Sequence, residues 1–219
     1  MRGAVGSEDG ERMRVLVTET TVDAAGPAIE ALVAAGHEVV RCHEPGAPAF
    51  PCAGLTGRSA ACPVADTAID VALTVRSHPR SQPAPLEDGA ICALRRHVPL
   101  VVTGSTALHP FGEFATEVVP KADARSLVDA CERAALAPLP HHTAVATQAW
   151  EATLANHDLD PSGSSIVVTR VHGGLLVAIE PGPEMTRPMI DMASVRVLAA
   201  LRAIDTESRA IDVRVLARH

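Results

Sequence analysis

The stretch Met13–Arg41, MRVLVTETTVDAAGPAIEALVAAGHEVVR, decides the fold. Its opening run, Met13–Thr18, is apolar and rich in β-branched residues, the signature of a buried strand. From Thr20 to Gly36 the spacing turns helical. Ala25, Ile29, Leu32 and Val33 fall on one face, Asp23 is placed to cap the start, and Gly36 is placed to stop the helix. His37–Arg41 (HEVVR) then returns to strand. A strand, a helix and a strand in this order form a β-α-β unit, which implies a parallel sheet covered by helices.

The same alternation continues outward. Ala68–Val75 reads as a strand, and a helix runs from Pro83–Pro85 to His97 with Ile91, Leu94 and Cys92 inward. Pro99–Gly104 is a fully apolar strand, Phe111–Ala115 is irregular, Glu117–Val119 is a brief strand, and Ala124–Ala137 is an amphipathic helix. The sum is a doubly wound α/β domain over residues 13–137, with a five-stranded parallel sheet of flavodoxin-like type. Residues 1–12 are polar and glycine-rich and read as a disordered tail.

Pro138 and Pro140 mark a boundary, and residues 138–219 have another rhythm. Thr143–His157 is a helix that carries Trp150, the only tryptophan, as an anchor between helix and sheet. His141-His142 precedes that helix as a cap or linker. Ser165–Val171 and Leu175–Glu180 form a hairpin around His172-Gly173-Gly174. A proline-rich link, Pro181–Pro188, leads to a long helix at Ile190–Ile204 and a final alternating strand at Ala210–Leu216. This α-β-β-α-β order describes a small α+β domain. Its plainest role is contact with a protein partner or self-association, with the last strand as an edge open to pairing.

Composition excludes several classes of function. Aromatic residues make up 2% of the chain and tyrosine is absent, which argues against base-stacking surfaces. The net charge of −7 argues against nucleic-acid binding through phosphate neutralisation. No apolar run reaches the roughly 18 residues that a membrane span requires. The N-terminus, MRGAVGSEDGERM, lacks the apolar segment of a signal peptide, so a cytoplasmic location is expected. Disulfides are disfavoured there, and five cysteines, an odd count, fit a disulfide framework poorly.

Between the second and third expected strands lies Cys42–Pro63, CHEPGAPAFPCAGLTGRSAACP, with Cys42, Cys52 and Cys62 at a regular interval. Thiolates suit zinc and iron–sulfur clusters. Three of them on a proline-stiffened loop can converge on one centre, and His43 or His78 is within reach as a fourth ligand. The loop offers few nitrogen or carboxylate partners for a tidy zinc site, which favours an iron–sulfur cluster over zinc. Two other readings stay open: the cysteines pack as small apolar side chains, with no metal, or two of them form a redox disulfide. Cys92 and Cys131 sit at apolar-face spacing in helices and read as core.

The first turn also bears on cofactors. It reads Thr18-Glu19-Thr20-Thr21, with side chains where a dinucleotide fingerprint needs glycine, and Gly26 comes too late. Residues 13–137 instead resemble the receiver domain of bacterial response regulators. The similarity rests on Glu19 in the first turn, Thr103 or Ser105 after the fourth strand, and Lys121 in VVPKADARSLVDACERAA. The family's phosphorylation site needs an aspartate at the end of the third strand and a pair of acids in the first turn. Here the third strand ends Thr74-Val75-Arg76 and only Glu19 is present. The resemblance is therefore to an atypical receiver that lacks the phosphoacceptor, and no phosphotransfer is expected from it. Residues 138–219 resemble, at the level of pattern, the Asp23 family of small envelope-associated modules. They have no GxxG loop of the KH kind.

These readings combine into an expectation: a non-phosphorylated, receiver-like sensing or binding protein in signal transduction, with a metal or iron–sulfur centre held by Cys42, Cys52, Cys62 and His43. No catalytic residue is assigned. The alternatives are an enzyme with Glu19, Thr103, Ser105 and the loop cysteines lining a site at the strand ends, or a purely structural interaction module.

Overall fold

The computed structural model describes residues 12–43, 52, 62–66, 69–120, 123–171, 174–206, 208 and 210–216. The expected tail up to residue 11, most of the loop between Cys42 and Pro63, Lys121 and the turn at His172 lie outside these residues.

The first sheet is built from Arg14–Glu19 (β1), Glu38–Arg41 (β2), Val71–Arg76 (β3), Leu100–Gly104 (β4) and Glu117–Val119 (β5). All four pairings are parallel and the order is β2-β1-β3-β4-β5. The inner strands are buried on both faces, so they read as unbroken apolar runs rather than alternating ones. Helices Gly26–Ala34 (α1) and Ala124–Ala135 (α4) cover one face, where Ala28, Leu32, Leu127 and Ala130 meet Val15, Val17, Val71 and Leu73. Pro63–Asp66 (α2) and Asp88–Arg95 (α3) cover the other, where Val64, Ala90 and Ala93 meet Leu16, Ala72 and Leu100. Each fully buried leucine here contributes about 1.5–3 kcal/mol of apolar transfer free energy.

The second sheet follows Pro140–Ala155 (α5). Ser165–Val171 (β6) and Gly174–Glu180 (β7) pair antiparallel. Arg187–Ile204 (α6) then leads to Ile211–Val215 (β8), which joins β7 in parallel and forms one edge. The α-β-β-α-β order matches the expectation. Trp150 is buried with Leu154, Ile166, Val177, Ala193 and Val197 under α5 and α6, which is the anchoring place expected for it.

Several local readings are corrected. The first helix begins at Gly26 with Pro27 in its first turn, and not at Thr20. Asp23 does not cap it, because its backbone is left-handed at φ 66°. The Glu19 carboxylate accepts the Ala25 N–H at 2.8 Å instead. Val33 is 57% exposed and Ala28 takes its inward place. In α3 the smallest residues, Gly89, Ala90 and Ala93, face the sheet, whereas Ile91, Cys92 and Leu94 are half-buried. The reason is close approach. A Cβ at Gly89 would sit 2.9 Å from Thr18 Cγ2 and 3.0 Å from Cys42 Cβ. Helix α5 starts at Pro140, so His141 and His142 lie in its first turn and not in a linker. Gly36 does end the first helical segment, at φ +90°. No helix of the described residues is long and apolar enough to cross a membrane.

Candidate functional site

The carboxyl ends of the parallel strands carry most of the polar residues singled out above, and they separate into three groups. The first is a tie across β3. Arg76, at the end of β3, is buried, and so is Glu87; Arg76 Nε lies 3.2 Å from Glu87 Oε1. Glu87 Oε2 accepts the Ala84 N–H at 2.7 Å and Arg76 Nη2 donates to the Arg80 carbonyl at 3.1 Å. Burial pushes the Glu87 carboxyl above its usual range, against the Ala84 hydrogen bond and the Arg76 charge. Gly104 packs directly on this strand end: at φ +89°, its Cβ would lie 2.2 Å from the Arg76 carbonyl oxygen.

The second group is a set of hydroxyls. Thr20 and Thr21 both bond Ser77 Oγ, at 3.0 and 2.9 Å, and His78 Nδ1 lies 3.0 Å from the same oxygen. Thr103 donates to the Val119 carbonyl at 2.9 Å and ties β4 to β5, and the Ser105 N–H donates to the Arg76 carbonyl at 2.7 Å. With Glu19 occupied at the start of α1, Glu19, Thr103 and Ser105 are each engaged in backbone support.

The third group is the thiols. Cys42 follows β2 directly and rests against α3, where a Cβ at Gly89 would approach its sulfur to 3.1 Å. Cys92 lies one helical turn beyond Gly89. Cys62 stands at the head of α2, which is tied to α3 by a 2.6 Å hydrogen bond from Arg96 Nη1 to the Val64 carbonyl. Cys42, Cys62 and Cys92 all pack on the same apolar cluster under the sheet. Burial first, and then the charges of Cys52, Cys62, Cys92 and Asp88, push the Cys42 thiol up to about 12. Cys92 is raised by burial and by Cys62 and Cys52, with Arg95 opposing. Cys42 and Cys92 are therefore each within electrostatic reach of Cys52 and Cys62, and no disulfide joins any of the four. Clustered thiolates repel, so this arrangement favours either protonated thiols or a cation among them.

Cys92, read from sequence as core, thus joins the three loop cysteines. The signal that could have found it is Gly89, a glycine inside a helix, for which close packing is a reason. Cys131 is the core thiol expected, 0% exposed and pushed up to about 12 by burial with Glu117 and Glu132 nearby. His43 lines a narrow cavity of about 20 Å³, room for one water, with Thr18, Glu19, Arg41 and Cys42. Its Nε2 is buried and has no hydrogen-bond partner. Among the described residues, no group of three or more histidine, cysteine, aspartate or glutamate side chains is already gathered tightly enough to hold a metal ion. No protein-family model matches this chain, and no curated protein sequence matches it.

Proposed function

We propose that this protein is a thiol-based binding or sensing module, in which a flavodoxin-like, receiver-like sheet without a phosphoacceptor presents Cys42, Cys52, Cys62 and Cys92 to an iron–sulfur cluster. The observation that carries the reading is the packing of Cys42, Cys62 and Cys92 on one apolar cluster, with Cys42 against Gly89 of α3 and Cys52 near enough for its charge to raise Cys42 and Cys92. Supporting it is the strand order β2-β1-β3-β4-β5, the order of flavodoxin-like sheets, which place their ligands outside the carboxyl ends of the strands. Cys92 is the fourth ligand in this proposal, in place of His43, and the donor set becomes all sulfur. All-sulfur sets serve iron–sulfur clusters and structural zinc. A single zinc ion with bonds of about 2.3 Å draws its four sulfurs within about 4 Å of one another, whereas a polynuclear cluster accepts a wider set. The ligand would supply the ordering free energy of a loop that is rich in proline and glycine. The second sheet, with β8 at its edge, would serve self-association or a protein partner.

Purification without oxygen, followed by iron, zinc and acid-labile sulfide analysis and a visible spectrum, tests the reading. The expected result is a coloured protein whose colour is lost in each of Cys42→Ser, Cys52→Ser, Cys62→Ser and Cys92→Ser. Zinc in place of iron would keep the thiol site and change its occupant. A colourless, metal-free protein whose folding is indifferent to all four substitutions would refute it.

A further inference from the structure

A separate cleft opens where the two sheets meet, away from the thiols. It holds about 240 Å³ between the end of α3, the start of β4, the turn at Phe114–Thr116 and the first turn of α5. Three imidazoles line it: His97, His141 and His142. Their ring centres are 4.6 Å (His97 to His141), 5.4 Å (His97 to His142) and 5.9 Å (His141 to His142) apart. His97 is held in the left-handed region at φ 53°, an unfavourable conformation for a residue that is not glycine.

His142 is the fixed member. It is 1% exposed, and its Nε2 lies 3.2 Å from Asp205 Oδ2. Asp205 is anchored in turn: Oδ1 accepts the Ser208 N–H at 2.8 Å, Oδ2 accepts the Ser208 hydroxyl at 2.9 Å, and Arg170 Nη2 stands 3.8 Å away. Burial alone would raise the Asp205 carboxyl, but the bonds from His142 and Ser208 and the Arg170 charge overcome it and hold the group well below the usual range. In the tautomer that donates Nε2–H to the Asp205 carboxylate, the neutral imidazole carries its lone pair on Nδ1. That Nδ1 is buried and has no hydrogen-bond partner. A buried nitrogen acceptor left unmet is destabilising, and ligation of an ion satisfies it.

We propose that this cleft binds a divalent transition-metal ion of the zinc class through His142 Nδ1 and the imidazoles of His97 and His141, with Asp205 orienting His142 from behind. The donor type is right, because neutral imidazole is a preferred ligand of zinc, copper and nickel, and a carboxylate behind a ligating histidine is the usual outer partner. The ring centres stand near the spacing that one ion requires, although the donor atoms are not gathered around one point. Imidazoles on one tetrahedral ion, with bonds of about 2.0–2.1 Å, place their ring centres about 5 Å apart. The His97 and His141 rings stack at 20° and must turn to converge on the ion. Both residues are exposed, which leaves room for their side chains to rotate. Burial and the neighbouring His141 and His142 lower His97, a shift in the direction of the neutral, ligating form. Three nitrogen ligands leave one position open to the cleft, the pattern of sites that bind water or a small substrate.

Cobalt(II) added to the metal-free full-length protein separates this site from the thiols. Nitrogen ligation gives visible d–d bands without the near-ultraviolet charge transfer of cobalt thiolates. The expected result is one such site per chain, displaced by zinc, with affinity reduced about tenfold or more in His97→Ala and in His141→Ala. Both changes are at exposed positions, and circular dichroism checks that the fold is kept. Asp205→Asn is expected to weaken the site about 10–100-fold, as loss of an outer carboxylate does. Cobalt spectra with thiolate bands alone, no binding, or unchanged affinity in both histidine variants would overturn the proposal.

Discussion

Replacing Glu87 by glutamine tests how the end of β3 is held. Arg76 and Glu87 are both 0% exposed and their charges face each other at 3.2 Å. Glutamine keeps the shape and keeps an oxygen for the Ala84 N–H, so the substitution removes the charge and sets an amide donor where the acceptor facing Arg76 was. The guanidinium then keeps its 3.1 Å hydrogen bond to the Arg80 carbonyl, while Nη1, already without a partner, and Nε stay buried. Breaking a buried pair from one side costs about 3–5 kcal/mol, because the remaining charge is uncompensated. Against a total stability on the order of 5–15 kcal/mol for a globular protein, such a loss is large. Replacing both residues, as Arg76→Met with Glu87→Leu, removes both charges and is expected to restore most of the stability, since an apolar pair of similar volume often equals a buried ion pair. Urea unfolding followed by far-ultraviolet circular dichroism, in a double-mutant cycle, measures both effects. A loss below about 1 kcal/mol for Glu87→Gln, the range of exposed ion pairs, would refute the argument from burial.

Other expectations follow from single contacts. Gly104→Ala places a methyl 2.2 Å from the Arg76 carbonyl at a φ of +89°, and a loss of at least about 1–3 kcal/mol is expected in the same urea assay. In native protein a thiol reagent is expected to leave Cys131 unmodified, since it is fully buried and its thiol is pushed up to about 12; mass spectrometry of the labelled protein reads this directly. The Asp205 carboxyl is depressed when folded, so its contribution to stability is present above its unfolded value near 3.8 and is lost as pH falls below it. Urea midpoints measured from pH 6 downward are expected to fall less steeply in Asp205→Asn than in the parent protein.

Much of the fold was legible because its signals are local. The apolar runs at Val15–Val17, Val71–Leu73 and Leu100–Val102 announce strands buried on both faces, and the helical spacing between them forces parallel crossovers. Errors gathered at helix ends and faces. The helical spacing extends the first helix back to Thr20, yet Glu19 takes the Ala25 N–H and the helix starts at Gly26, with Pro27 in its first turn. Ile91 and Leu94 lost the inward face of α3 to Gly89, Ala90 and Ala93, because the helix packs too close to Thr18 and Cys42 for larger residues.

By itself, the sequence determined the alternation of strand and helix, the change of rhythm after Pro138, and the regular thiols of the loop after β2. Only the tertiary structure decided which residues meet. Cys92 comes to Cys42 across fifty positions, Arg76 finds Glu87 through an intervening turn, and His142 reaches Asp205 from 63 residues away. Period and propensity act within a few turns of chain, whereas these meetings depend on how far each crossover carries the backbone and how closely the helices settle on the sheet. That closeness is a property of packing, set by small residues such as Gly89 and Ala93, and no single segment carries it alone.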